Sequence, residues 1–154
     1  MSDAAGFREV LDRVSRLHVD ASVLALHLSG NGRFTPLTRV LFERLADGGL
    51  SGSTSALSIY QLLVEAYRRG EAETAATAER YLTTIPGLDV IDVTPAIARQ
   101  ASQVRAQLGG KPERAVQIAT ALSERAEVYL TQRSPFRRVA GMGVESLELF
   151  AGAP

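Results

Sequence analysis

Residues 111–133, KPERAVQIATALSERAEVYLTQR, read as a helix running into a strand. Pro112 suits a first helical position, the apolar residues after it recur at helical spacing, and Val128, Tyr129 and Leu130 form a short strand core. The charges run against this frame. Arg114 falls in the first turn, where the helix dipole favours acids, and Arg133 stands where the strand opens toward a ligand.

The same alternation extends outward from this stretch. Upstream, LDVIDV (88–93) alternates apolar and acidic residues as an edge strand does, and Thr94-Pro95 supplies an N-cap and a first helical residue for a helix ending at Gly109-Gly110. Before it lie a strand in LSGSTSAL (50–57), a helix opened by the capping-box spacing Ser58 to Gln61, and an alanine-rich helix at 71–84. Nearer the start, LHVD (17–20) reads as a strand, followed by a helix that stops at Gly30 and a second that stops at Gly48-Gly49. Residues 3–16 form an amphipathic helix through Phe7, Val10, Leu11 and Val14. Downstream, 134–141 is a loop or one-turn helix, VESLEL (144–149) a last strand, and the tail from Phe150 frays. Strands alternating with helices predict a single-domain three-layer α/β/α sandwich around a mostly parallel, five-stranded sheet. The expected organisation is a helix at 1–16, the domain at 17–150 and a tail at 151–154.

Bulk composition narrows the function classes. A chain of 154 residues with 45% hydrophobic and 22% charged residues fits one globular domain. A net charge of zero gives no global attraction to nucleic acid or anionic membrane, so such binding needs a local patch. The absence of cysteine removes disulfides, thiolate chemistry and Cys-based zinc sites, and matches a reducing compartment. With no signal-peptide pattern and no membrane-spanning run, the expectation is a soluble, cytoplasmic domain without a membrane partner.

In open parallel sheets, ligands bind beyond the carboxyl ends of the strands where strand order reverses. The first strand ends in Asp20, which reads either as a helix cap, a role Ser22 also suits, or as a carboxylate metal ligand. With that residue the motifs fall into an order. HVDASVLALHL (18–28), STSALSIYQLL (53–63), PERAVQIATAL (112–122) and AEVYLTQRSPFRRVAGMGVESL (126–147) together resemble the PIN domain, the nuclease module of VapC-type toxins, over residues 17–149. The resemblance implies about four acids around one or two Mg²⁺ or Mn²⁺ ions that activate water against RNA. It also implies a two-fold homodimer and an antitoxin-type partner.

Residue by residue, most of the acidic set is missing. Asp20 stands at the family's first metal-binding position; Gln61 replaces the Glu, Arg114 the second Asp, and Gln132-Arg133 the Asn-Asp pair. Amides are weak ligands for a hard divalent ion. A guanidinium about 5 Å from such an ion opposes it by roughly 6 kcal/mol at an effective dielectric near 20, and arginine keeps its proton. The expected consequence is two arginines converging on Asp20 as an internal ion pair, with the metal site lost.

Three functions follow as expectations. The first is a catalytically degenerate PIN-fold protein acting as a binding or structural module with no cofactor. The second is an active ribonuclease holding Mg²⁺ or Mn²⁺ through Asp20 with Glu65, one turn beyond Gln61, or with Glu113. The third is a metal-free nucleic-acid binder using Arg114 with the basic run Arg133, Arg137 and Arg138. His18 and His27 have no spacing that makes them a metal pair and read as satisfied or surface histidines.

Overall fold

Leu17 and Val19 turn to one side of the first strand and His18 to the other, and this alternation divides the core in two. The computed structural model describes residues 1–154. Strand β1 (Arg16–Val19) lies inside a sheet that also contains β2 (Ser51–Ser55), β3 (Leu88–Ile91), β4 (Val128–Thr131), β5 (Arg138–Val139) and β6 (Met142–Ser146). Their order is β3-β2-β1-β4-β6-β5, with every pair parallel except the terminal β5–β6 hairpin. The chain steps from β1 outward to β3 and returns on the far side at β4. Strand order therefore reverses between β1 and β4, and a cleft opens at their carboxyl ends.

One face carries α1 (Ala4–Asp12), α2 (Ala21–Ser29), α3 (Thr35–Ala46) and the end of α5 (Ala72–Thr83), packed on Leu17, Val19, Val128 and Leu130. The other carries α6 (Pro95–Leu108) and α7 (Pro112–Ser123), packed on Tyr129 and Val144. Helix α4 (Leu57–Arg68) follows β2 and reaches α7 through the buried amide of Gln117. The three-layer, mostly parallel sandwich stands as expected. No helix is long and apolar enough to cross a membrane.

Several local expectations change. The sheet has six strands rather than five, because Ala140 (φ 48°) and Gly141 (φ 84°) form a two-residue turn with positive φ at both positions. Such a turn pairs Val139 with Met142, but Ala-Gly lacks the Asn-Gly signal that announces it in sequence. The last strand ends at Ser146 and not at 149; Leu147–Leu149 coil into a 3-10 turn because Leu147 is drawn wholly into the first core. Ser58 does not cap α4. It lies inside the helix, where its hydroxyl meets Thr54 Oγ1 at 2.8 Å, and the N-cap position falls to Ala56.

The first helix is shorter than 3–16. It ends at Asp12, and the backbone N–H groups of Ser15 and Arg16 donate to Glu127 Oε1 at 2.8 and 3.0 Å as the chain enters β1. Its apolar face is buried on this domain's own edge: Phe7 and Leu11 are fully covered, each worth roughly 1.5–3 kcal/mol. Phe150 closes over Phe7 with ring centroids 5.4 Å apart, and the Asp3 N–H donates to the Phe150 carbonyl. Arg33 Nε donates to the Gly152 carbonyl at 2.7 Å, so the tail from Phe150 is docked through Gly152 rather than frayed.

Candidate functional site

Helix α2 begins where β1 stops, and the residue between them is Asp20. Its side chain caps α2 by accepting from the Ser22 backbone N–H at 3.3 Å, and it takes hydroxyl donors from three directions. Ser22 Oγ donates to Oδ2 at 2.6 Å, Thr131 Oγ1 to Oδ2 at 3.1 Å, and Tyr129 OH to Oδ1 at 2.8 Å. The register explains this convergence. Val19 pairs with Leu130, which brings Asp20 beside Thr131, and Tyr129 lies two residues back on the same face of β4. Ser22 Oγ also accepts from the Gln132 N–H at 3.0 Å, fixing the start of the loop after β4. Of the four donors to Asp20, three fall on Oδ2 and one, the Tyr129 hydroxyl, on Oδ1.

No arginine pairs with Asp20, contrary to the expected internal ion pair. Arg133 reaches Glu148 instead, at 3.6 Å, and Arg114 has no ion-pair partner. Hydroxyls satisfy a carboxylate without confining a second charged group, so the neutral cage takes the position that an arginine would need. Arg114 stays close enough for its charge to act on Tyr129. The Tyr129 phenol is pushed well above its usual range by burial, then by the Asp20 charge and hydrogen bond, with Arg114 working in the opposite direction.

Behind this cage runs a second buried network that the sequence did not announce. His18 is wholly buried and stacks on Tyr129, ring centroids 5.5 Å apart and planes within 8°. Its Nε2 lies 2.8 Å from Gln117 Oε1 and its Nδ1 3.1 Å from Ser53 Oγ. Gln117 Nε2 donates both to Ser58 Oγ at 2.8 Å and to Gln61 Oε1 at 2.9 Å. With both amide hydrogens used, Gln117 Oε1 accepts from His18 Nε2–H, which leaves Nδ1 to accept from Ser53. Every partner in the chain is consistent with a neutral imidazole. Gln61 Oε1 faces inward to Gln117, so its N–H₂ group is left for the cleft.

Burial lowers the His18 pKa from 6.5 to about 4, against the raising influence of the Gln117 bond and the Asp20 charge. The unfolded chain gains this proton near pH 6.5 and the folded chain only near 4. Stability is therefore full above about pH 6.5 and is lost as pH falls toward 4, by about 3 kcal/mol in all. Burial lowers the His27 pKa as well and adds in the same direction. Urea midpoints at pH 7.5 and 4.5 should show this loss, and His18→Gln should remove most of the difference between them. An equal slope in that variant would contradict a buried neutral His18.

The cleft itself is a cavity of about 590 Å³. Asp20, Gln61, Arg114, Gln132 and Arg133, the positions expected from the family resemblance, line it together. So do Tyr60, Lys111, Glu113 and Glu148, of which only Glu113 was singled out from sequence. Tyr129 and Thr131 were also missed, although their i, i+2 spacing on a strand ending beside Asp20 is a usable signal. The other expected residues lie elsewhere. Glu65 is outside the cavity, its carboxylate held by Arg69 and Arg68 at 3.2 and 3.6 Å. Arg137 lines an adjoining pocket that shares Arg133 and Glu148 with the first. Arg138 Nη2 donates to the Gly141 carbonyl at 2.7 Å and braces the hairpin. His27 is satisfied, its Nε2 2.7 Å from Tyr81 OH and its Nδ1 3.2 Å from Thr38 Oγ1.

The donor set does not fit a resident divalent ion. No three His, Asp or Glu side chains come together as ligands, and an unpaired guanidinium shares the cavity with Asp20. Chemically, the cleft offers hydrogen-bond donors and unpaired charges.

No protein-family model and no curated protein matches the sequence. Solved structures do match. A chain of VapBC2 from Rickettsia felis, bound to a DNA fragment from their promoter, superposes with a TM-score of 0.65 at 12% identity, covering 85% of this chain and 98% of that one. A toxin–antitoxin complex from Klebsiella pneumoniae gives 0.59 at 18% identity over 85% and 97%. VapC20 from Mycobacterium tuberculosis, a Sarcin-Ricin loop cleaving toxin, gives 0.56 at 19% identity over 73% and 86%. The fold is that of VapC-type PIN domains. Identities this low carry the fold and not the activity.

Proposed function

We propose that this chain is a PIN-fold protein whose nuclease centre has been replaced by a hydrogen-bonded, metal-free cleft, and that it acts as a binding module. The observation that carries this reading is the hydroxyl cage on Asp20. A carboxylate that anchors a divalent ion offers its oxygens to the metal, whereas here Ser22 and Thr131 donate to Oδ2 and Tyr129 to Oδ1, and a metal would compete with them. Gln61 and Arg114 stand in the same cavity without the negative charge that would hold a metal or bias water toward attack on a phosphodiester. The matching toxin–antitoxin structures support a protein partner of antitoxin type, and the family resemblance adds a homodimer.

Two other readings make different use of the cleft. An active ribonuclease would need Asp20 with Glu113, since Glu65 is committed to Arg68 and Arg69. An RNA binder would use Lys111, Arg114 and Arg133 on the cavity wall and Arg137 in the adjoining pocket, a local basic patch on a neutral chain. One experiment addresses all three. Single-stranded RNA is incubated with the protein and Mn²⁺, and Mn²⁺ is titrated calorimetrically to millimolar concentration. We expect no metal-stimulated cleavage and no heat of metal binding. Robust cleavage abolished by Asp20→Asn would overturn the proposal, and salt-sensitive RNA retention without cleavage would favour the RNA-binding reading.

A further inference from the structure

We infer that the cavity wall formed by Gln61, Lys111 and Arg114 binds a phosphate monoester, carried by a mononucleotide or by the end of an RNA strand, without a metal ion. This inference rests on the metal-free reading of the cleft and specifies what the cleft takes.

Three donors are left over when the internal contacts are assigned. Gln117 occupies Gln61 Oε1, and Gln61 Nε2 has no acceptor within the protein. Lys111 and Arg114 line the same cavity, and neither has an ion-pair partner. An amide N–H₂, an ammonium and a planar guanidinium make up a donor set for an anion with several oxygens. Two free cations match a charge near −2, as on a phosphate monoester at neutral pH, better than the single charge of a carboxylate. These cations also do what Mg²⁺ does for most phosphate esters, which is why the site can work without one.

Of the carboxylates in the cavity, Glu148 is paired with Arg133, while Asp20 keeps its charge inside the hydroxyl cage, so the phosphate is held on the Lys111 and Arg114 side, away from Asp20. Glu113 remains free and offers an acceptor to a hydroxyl, as on a ribose. Tyr60 is 58% exposed on the cavity wall and presents a ring on which a base can stack. The volume of about 590 Å³ falls within the usual range for small-molecule sites, roughly 300–1,000 Å³.

The test is calorimetry in EDTA at low salt with AMP, adenosine, inorganic phosphate, and an oligoribonucleotide with a 5′-phosphate or a 5′-hydroxyl. AMP is expected to bind at least about tenfold more tightly than adenosine. Tighter binding of the 5′-phosphorylated oligonucleotide than of AMP identifies an RNA end as the source, and the reverse identifies a free nucleotide. Arg114→Ala and Lys111→Ala should each weaken AMP roughly tenfold or more. Gln61→Glu keeps an acceptor for Gln117 while turning the cavity-facing donor into a carboxylate, so it should abolish AMP binding at an unchanged thermal midpoint. If that variant fails to fold, the exposed Lys111→Ala carries the test. Equal binding of AMP and adenosine, or undiminished AMP binding in these variants, would overturn the inference. A protein that binds neither AMP nor Mn²⁺ sinks this inference alone, whereas Mn²⁺ binding or cleavage sinks the metal-free reading beneath it.

Discussion

Asp20→Ala is expected to lower the stability of this protein by about 3 kcal/mol, seen as a lower urea midpoint with the slope unchanged. The substitution removes the N-cap of α2 and the acceptor of three hydroxyls at once. Loss of a cap costs about 1 kcal/mol. Tyr129, only 3% exposed and left without a partner, adds about 1 kcal/mol, and Ser22 with Thr131, which still meet each other at 3.3 Å, together add about 1 more. Asp20→Asn keeps the shape but turns an N–H₂ toward donors, so a smaller loss is expected. The sign separates the two accounts of this residue. In a cluster of metal-binding acids, removing one carboxylate relieves repulsion and stabilises the metal-free chain. Stability unchanged or raised in Asp20→Ala would refute the cage as the anchor of this part of the fold.

The second large effect is a gain. The double variant Gln61→Glu, Arg114→Asp is expected to bind Mn²⁺ at sub-millimolar concentration in calorimetry, where the unaltered protein is expected to show no binding at millimolar metal. It places two new carboxylates in a cavity that already contains Asp20 and Glu113, and it removes the guanidinium that repels a cation. Gln117 Nε2 retains an acceptor in the carboxylate introduced at position 61, so the buried network behind the cleft survives the change. Metal also competes with the hydroxyl cage for Asp20, which lowers its affinity, while Mn²⁺ that does bind should raise the variant's thermal midpoint. A variant that folds normally and still gives no heat with Mn²⁺ would mean that the cage, and not the altered charges, bars the metal.

How much of this was legible in the sequence differs between fold and cleft. The periodicity of α7, the caps at Thr94-Pro95, and the acid at the end of β1 were enough for the α/β sandwich, because each is a local pattern with a local cause. The gathering of Asp20, Gln61, Arg114, Gln132 and Arg133 on one cavity follows from that order of elements. The partners of these residues do not. Arg133 turning to Glu148, Ser58 bonding Thr54 instead of capping, and Ala140-Gly141 closing a hairpin each depend on a contact that no short window of sequence contains.

Asp20 shows the division most clearly. Its place at a strand end can be read from residue types and spacing, and the absence of acids at the companion positions from the family resemblance. Whether it would meet a metal, a guanidinium or a set of hydroxyls cannot. That outcome was decided by the parallel register of β1 on β4, which sets Val19 beside Leu130 and brings Tyr129 and Thr131 to the carboxylate from 109 and 111 residues away. The physical reason is that sequence specifies which groups are present and which face of an element they share. Hydrogen bonds require positions good to a few tenths of an ångström, and only the packed sheet supplies them.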